Sequence, residues 1–258
     1  NPNNSVLFIQ SCLPEHAELH LILSMLVPVP WLERNPTYKD KQLEVQKVDM
    51  NSYGFLGYPV LQTADIILYK ADIVPVGEDQ LPHLELSREI IRRFNNLYGD
   101  VFTEPVAKVS KLPKLNGIDG RKMSKSYENA IYLSDNERQI QKKVKGMFTD
   151  PQRARREDPG DPDVCNLFPF HKIYSPKEMQ EEIDRDCRVA KIGCGDCKLK
   201  LIDTMLEGLR PHIEKRREII AKPRQVREIL EAGNQKAQRV ARDTLNKAKA
   251  AMGIKSCN

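Results

Sequence analysis

The chain has 258 residues, enough for one large domain or two ordinary ones with a proper buried core. No apolar run approaches the roughly 20 residues that a membrane span needs, and the polar, uncharged start Asn1-Pro2-Asn3-Asn4 is unlike a secretory leader. The net charge of +5 is modest, but Arg210 to Lys255 carries 13 Lys and Arg against 5 Asp and Glu, which reads either as a phosphate-facing surface or as a solvated helix face.

Ser5 to Gln10 (SVLFIQ) is apolar and rich in strand formers, so it is predicted to be a buried strand. Because that strand follows almost at once on a first residue that is not Met, the natural N-terminus is expected to lie upstream. Glu15 to Leu26 is a predicted helix with Leu19, Leu23 and Leu26 at helical spacing, stopped by Pro28 and Pro30. Trp31 to Lys47 is polar and is predicted to be a loop. Gly57 to Tyr69 reads as a buried helix, Asp72 to Val76 as a short strand ending at Gly77, and Gln80 to Tyr98 as a long amphipathic helix. This alternation predicts a parallel α/β sheet.

Leu112 to Gly120 reads as a loop, and Ser134 to Glu137 (SDNE) as a capping box starting a helix that runs to about Phe148. Asp150 to Asp163, full of Pro, Gly and charge, reads as a linker or surface loop. From Cys187 onward the pattern is helical, broken near Gly193 to Gly195 and near Pro223. The expected fold class is α/β followed by an all-helical part, divided as 1–127 and 128–258, with the final helix free to pack back on the first part.

Two groups of residues carry chemistry. Lys122-Met123-Ser124-Lys125-Ser126 places two lysines three apart with two small hydroxyls, a compact cationic loop suited to a triphosphate whose charge moves toward leaving pyrophosphate; the plain alternative is a solvated basic turn. Cys165, Cys187, Cys194 and Cys197 crowd into 33 residues, which in a cytoplasmic chain points to a metal site rather than to disulfides. Four thiolates can close a zinc site or hold an iron–sulfur cluster; only one CxxC pair is present, and the other spacings are long and unequal. Gly193 and Gly195 beside Cys194 would let backbone N–H groups approach the sulfurs, while Cys12 and Cys257 have no partner pattern. His16 and His20, at i and i+4, lack a further ligand and are not read as a metal pair.

The KMSKS segment resembles the signature of class I aminoacyl-tRNA synthetases. Together with Gly77-Glu78-Asp79-Gln80 after a strand and Tyr58-Pro59-Val60-Leu61-Gln62-Thr63-Ala64-Asp65-Ile66, it makes the chain, from about Val6 to Gly253, similar to the bacterial tryptophanyl-tRNA synthetases. That resemblance implies a Rossmann-like catalytic domain and a helical anticodon-binding domain. It implies activation of L-tryptophan with Mg2+-ATP, transfer to tRNA(Trp), a homodimer in the cytoplasm and no membrane partner.

The implied roles fall on named residues. Lys122 and Lys125 would be catalytic, and Gly77, Glu78, Asp79, Lys122, Met123, Ser124, Lys125, Ser126, Lys39 and Lys41 would bind ATP, although Lys39 and Lys41 also read as an exposed charged loop. Asp65, Tyr58, Gln62, Val76 and Gln80 would bind tryptophan. A carboxylate on an otherwise apolar helix needs a partner, and an indole N–H is a donor without an acceptor, so Asp65 would read the indole; taken alone it is equally a structural cap or ion-pair partner. Gln62 departs from the Met often found there. The cysteine pattern resembles that of relatives holding a [4Fe-4S] cluster, with Zn2+ as the alternative, and Arg188, Lys198 and Lys200 would contact the tRNA. The family's HIGH-like segment has no counterpart in these residues, so the chain alone is expected to be inactive. A tyrosyl-tRNA synthetase or a non-catalytic tRNA- or cluster-binding paralogue are the alternative functions.

Overall fold

The computed structural model describes residues 4–36, 38, 52–109 and 115–255. It divides into two compact units, Asn1–Ser110 with Arg224–Asn258, and Lys111–Pro223, rather than at 127/128.

In the first unit, α1 (Glu15–Ser24) has Glu15 and Glu18 in its first turn, where the helix dipole favours negative charge, and buries Leu19, Ile22 and Leu23. The predicted loop from Trp31 begins instead as α2 (Val29–Glu33), because Pro28 and Pro30 sit at its start, where a missing N–H costs nothing. Ser52 caps α3 (Tyr53–Ile67) by accepting the Phe55 N–H. β1 (Ile73–Val76) leads through a short 3-10 turn into α4 (Leu81–Tyr98), which ends at Gly99 with φ +95°, a conformation open to glycine. Beyond it, the Asn95 side chain clamps the backbone of Val101 and Phe102 and feeds the chain into β2 (Val106–Val109). β2 pairs in parallel with β1, Ile73 opposite Val106, and α4 supplies the crossover that parallel strands require. The VAKV strand was not predicted.

Among the described residues the sheet has these two strands only, and the predicted strand over Ser5–Gln10 does not form. Instead the segment runs along α9 (Pro223–Ala251): the Ile9 N–H donates to Asn234 Oδ1 at 2.8 Å, and Val6, Leu7 and Ile9 stay exposed. The apolar residues lacked a sheet neighbour, and a helix met their backbone instead. α9 adds Ala237, Ala241, Leu245 and Ala248 to the core of this unit and is tied to α1 by Arg242–Glu15 and Lys249–Glu18 ion pairs.

The second unit holds α5 (Glu137–Lys145), α6 (Phe168–Tyr174), α7 (Lys177–Arg188) and α8 (Cys194–Ile220) around Ile140, Val144, Leu167, Phe170, Leu201 and Met205. The capping box lies two residues beyond the predicted frame, with Asn136 and Gln139 exchanging hydrogen bonds of 2.9 and 2.8 Å. Asp135 is drawn elsewhere, accepting from the Tyr132 N–H at 2.8 Å and from Lys143 Nζ at 2.5 Å. The helix stops at Lys145 rather than near Phe148. The break before Cys194 and the new helix at Pro223 are where the glycines and the proline predict them. No described helix is long and apolar enough to cross a membrane.

Gly233 marks the closest approach in the first unit, since a Cβ there would lie 1.8 Å from the Leu7 carbonyl oxygen. Alanine would gain about 1 kcal/mol of helix propensity, but overpacking costs roughly 1–3 kcal/mol, and a backbone carbonyl cannot swing aside as a side-chain tip can. Gly233→Ala should therefore lower stability by up to about 2 kcal/mol, read as a lower urea midpoint at unchanged slope. A raised midpoint would mean that the segment gives way freely.

Candidate active site

The candidate tryptophan residues belong to the first unit. Asp65 lies on α3, half-buried, and its Oδ1 accepts from Gln10 Nε2 at 2.7 Å and from His16 Nδ1 at 2.6 Å. His16 Nε2 faces the Tyr69 hydroxyl at 2.7 Å. Burial, followed by the charges of Asp65 and Glu15, pushes Tyr69 up to about 12. His16 bridges the Tyr69 hydroxyl and the Asp65 carboxylate, leaving Asp65 Oδ2 with no hydrogen bond among the described residues. His16 is thus a holding residue and not half of a metal pair.

Tyr58, raised in pKa by burial, meets His83 Nε2 at 2.9 Å, and Asn35 Nδ2 lies 3.2 Å from His83 Nδ1. Gln62 Nε2 reaches Gln80 Oε1 at 3.5 Å, and Gln80 Nε2 donates to Asp79 Oδ2 at 3.1 Å, which links α3 to the turn after β1. That turn, Val76 to Gln80, presents Glu78 and Asp79 to solvent. Gly77 has an ordinary φ of −75°, and a Cβ there would stand 2.7 Å from Asp79 Oδ1, the tip of an exposed side chain. A cavity of about 570 Å3 in the same unit opens beside Trp31, Arg34, Arg93 and Leu97 and contains none of these candidate residues. Lys39 and Lys41 lie outside the described residues.

The KMSKS segment belongs to the second unit and is organised by Asn129, which is 2% exposed. Its Oδ1 accepts the Ser124 N–H at 2.9 Å, and its Nδ2 donates to the Lys122 carbonyl at 3.1 Å and to Asp119 Oδ1 at 2.8 Å. Gly117 makes room for this amide, because a Cβ there would overlap Asn129 Nδ2 at 2.1 Å. Asp119 also accepts from the backbone and guanidinium of Arg121. The Asn129 bond, then those from Arg121, hold its carboxyl well below the usual carboxylate range, at about 2. Asn116 pairs with Lys122 in an antiparallel bridge. Ser124 Oγ caps the turn Lys125–Tyr127, which contains Ser126 and closes at Glu128 with φ +51°. Met123 packs inward, whereas the side chains of Lys122 and Lys125 are exposed and take no ion pair among the described residues. The result is two cations carried on a rigid frame. Sequence alone did not single out Asn129, Asp119 or Gly117.

Cys165, Cys187, Cys194 and Cys197 are free thiols of the second unit. They gather in one neighbourhood where burial first, then mutual repulsion, pushes three of them up, Cys197 to about 12. Among the described residues no three His, Cys, Asp or Glu are placed to hold a metal ion. Neither the [4Fe-4S] expectation nor its Zn2+ alternative is thereby supported. The glycine that the thiols require is Gly160, where a Cβ would be 2.7 Å from Cys187 Sγ; Gly195 has open space around it.

Residues 1–210 match the tRNA synthetases class I (W and Y). With a helical fold holding a small parallel sheet, the chain belongs to that class. It is 40% identical to the tryptophan–tRNA ligase of Aquifex aeolicus, over 98% of this chain and 82% of that protein. To that of Thermotoga maritima it is 47% identical, over 98% and 78%. The crystal structure of tryptophanyl-tRNA synthetase from Campylobacter jejuni complexed with ADP and tryptophan superposes with a TM-score of 0.81 at 36% identity, covering 98% of this chain and 78% of that one. Within its class the chain belongs to the bacterial-type tryptophanyl-tRNA synthetases.

Asn129→Ala would strand the Ser124 N–H and the Lys122 carbonyl, a loss of roughly 1–3 kcal/mol for each buried group left unpaired. Amide exchange at Ser124 and Lys125 should accelerate at least tenfold while the α8 amides keep their protection. Unchanged exchange at Ser124 would remove Asn129 from this role.

Proposed function

We propose that this chain is a tryptophan–tRNA ligase, a reading carried by its similarity to tryptophan–tRNA ligases over 98% of its length. The tryptophan carboxylate attacks the α-phosphorus of Mg2+-ATP, the bond to the bridging oxygen breaks, and pyrophosphate leaves. A ribose hydroxyl of tRNA(Trp) then attacks the adenylate carbonyl, and AMP leaves.

The chain's own groups are assigned as follows. Asp65 Oδ2, open while Oδ1 is held by Gln10 and His16, accepts the indole N–H. Tyr58, Gln62, Val76 and Gln80 surround the amino acid, with Tyr58 fixed by His83. Gly77, Glu78 and Asp79 meet the nucleotide, together with Lys39, Lys41 and the loop Lys122 to Ser126. Lys122 and Lys125 take up the charge that moves onto pyrophosphate, where preoriented cations are most effective. The two strands are read as part of a Rossmann-like sheet, and the helices of the second unit as the anticodon-binding part. The enzyme works as a homodimer.

Cys165, Cys187, Cys194 and Cys197 are proposed to hold a [4Fe-4S] cluster. An all-thiol donor set suits iron–sulfur chemistry, and a cluster, which binds each sulfur to a different iron, needs a wider spread of sulfurs than one ion. Adenylation moves no electrons, so its contribution is to staple a small helical unit. Protein purified without oxygen should contain about four irons per chain; stoichiometric zinc without iron would reject the cluster.

In the full-length enzyme, Lys122→Ala and Lys125→Ala should each slow tryptophan-dependent pyrophosphate exchange by roughly 10²-fold or more, the scale of losing a preorganised charge-stabilising group, with little change in tryptophan affinity. Exchange should be supported by tryptophan and not by tyrosine. Equal rates with both amino acids, or no effect of either substitution, would overturn the assignment.

A further inference from the structure

The cysteine neighbourhood and the KMSKS segment belong to the same compact unit, and one buried side chain joins them. Asn166 follows Cys165 directly, is 7% exposed, and donates from Nδ2 to the Gly117 carbonyl at 2.8 Å across 49 residues of chain. We propose that Asn166 is a positioning residue for Lys122 and Lys125, and that through it the backbone of the cysteine neighbourhood sets where those lysines stand. The role of the lysines is that of the ligase reading above, on which the inference rests.

The bond lands on the residue from which the loop is framed. Gly117 and Arg121 close a turn: the Gly117 N–H donates to the Arg121 carbonyl at 2.7 Å, and the Gly120 N–H returns to the Gly117 carbonyl at 3.0 Å. Lys122 follows at once and is bridged to Asn116, the residue before Gly117. Asn129 rests against the same glycine, its amide standing where a Cβ would be, and it holds the Lys122 carbonyl and the Ser124 N–H. Ile118 is fixed from two further sides, donating to the Asn129 carbonyl and accepting from the Phe148 N–H, each at 2.8 Å. A displacement of Gly117 is therefore passed to both supports of the loop, the turn and Asn129.

The other end of the bond is anchored among the thiols. The Cys165 N–H donates to the Asp161 carbonyl at 3.1 Å, and the Gly160 N–H donates to the Cys187 carbonyl at 3.0 Å, so the backbones at two of the cysteines are joined through residues 160 and 161. On its other side Asn166 is followed by Leu167, which is buried in the core of the unit. A second link, from Lys198 Nζ to the Lys145 carbonyl at 2.9 Å, also leaves this neighbourhood, but it lies at the surface on a long flexible stem. The short amide of Asn166 has no such slack. A buried donor parted from its acceptor loses more than an exposed one, so Asn166 and Gly117 move together. The Gly117 carbonyl also accepts from Gly120, so truncating Asn166 loosens the turn without stripping that carbonyl of every partner.

The test is a double-mutant cycle over Cys165→Ala and Asn166→Ala in the whole chain, read by amide exchange at Gly120 and Ser124. Asn166→Ala should accelerate both by about two- to tenfold, the range for one lost hydrogen bond, while the amides of central α8 keep their protection. Cys165→Ala should accelerate Ser124 when Asn166 is present and add nothing when it is absent. In the full-length enzyme, Asn166→Ala should lower kcat of pyrophosphate exchange by roughly tenfold, short of the roughly 10²-fold that a misplacement of about 1 Å can cost, with KM for tryptophan unchanged. Asn166→Asp keeps the shape and loses the donor, so it should fall at least as far; a role in packing alone would leave it near the unsubstituted enzyme. Unchanged amide exchange in Asn166→Ala, or unchanged kcat in both Asn166 variants, would overturn the positioning role. An effect of Cys165→Ala that is equal with and without Asn166 would overturn the coupling, with the shared packing of Cys165, Ile118 and Met123 as its route instead. An unsubstituted full-length enzyme with no tryptophan-dependent exchange would overturn the ligase reading itself, an outcome that the amide-exchange arm does not share.

Discussion

A carboxylate set on an apolar helix has to be held, and in the first unit His16 does the holding. The bond between His16 and Asp65 joins α1 to α3, and Gln10 joins the same oxygen from the turn before α1. Three separate pieces of chain are fixed by one acceptor atom. Because both donors use Oδ1, the other oxygen keeps its acceptor capacity, at an angle set by the ring of His16. Tyr69 secures the ring from behind, its hydroxyl 2.7 Å from Nε2. An acceptor held by two donors does not swing, and this arrangement supplies the rigidity.

The second unit solves a similar problem with an amide. Lysines that meet a triphosphate must be exposed, and exposed lysines are mobile. Asn129 removes the mobility from the backbone rather than from the side chains, bonding Ser124, Lys122 and Asp119 at once. The cations remain free to follow the charge as it moves, while their anchor points stay fixed. Preorganisation of this kind lowers a barrier without a rearrangement at the moment of reaction.

Much of this was legible in the sequence. α1, α3, β1 and α4 follow from hydrophobic spacing and from Pro and Gly punctuation. What was not legible depends on contacts distant along the chain. Nothing in HAELH reveals that His16 meets a carboxylate 49 residues away. The Ser5–Gln10 stretch has the composition of a strand, and only the presence of α9 decides that it lies along a helix. The capping box lies two residues on, at Asn136 and Gln139, where a second cap-and-amide pair competes with the Ser134 frame. Glycines mislead in the same way: those beside Cys194 looked important, whereas Gly117, Gly160 and Gly233 are the ones against which other atoms press. Local pattern records backbone preference; it does not record which atom will arrive from elsewhere.

The first unit is built from both ends of the sequence, with the whole of Lys111–Pro223 between its two parts. The hydrogen bond from Ile9 to Asn234 spans 225 residues, and α9 contributes four core side chains to a cluster otherwise drawn from the first 102. On a ribosome that extends the chain by roughly 5–20 residues per second, this last piece arrives more than ten seconds after Ile9. Throughout that interval the core of the unit lacks four of its side chains. The intervening unit has its own closed core and no such wait. Between the two units, order of birth and order of completion are therefore reversed: residues 4–109 are made before the intervening unit but are completed after it, and during synthesis they offer an apolar face to any chaperone that binds one.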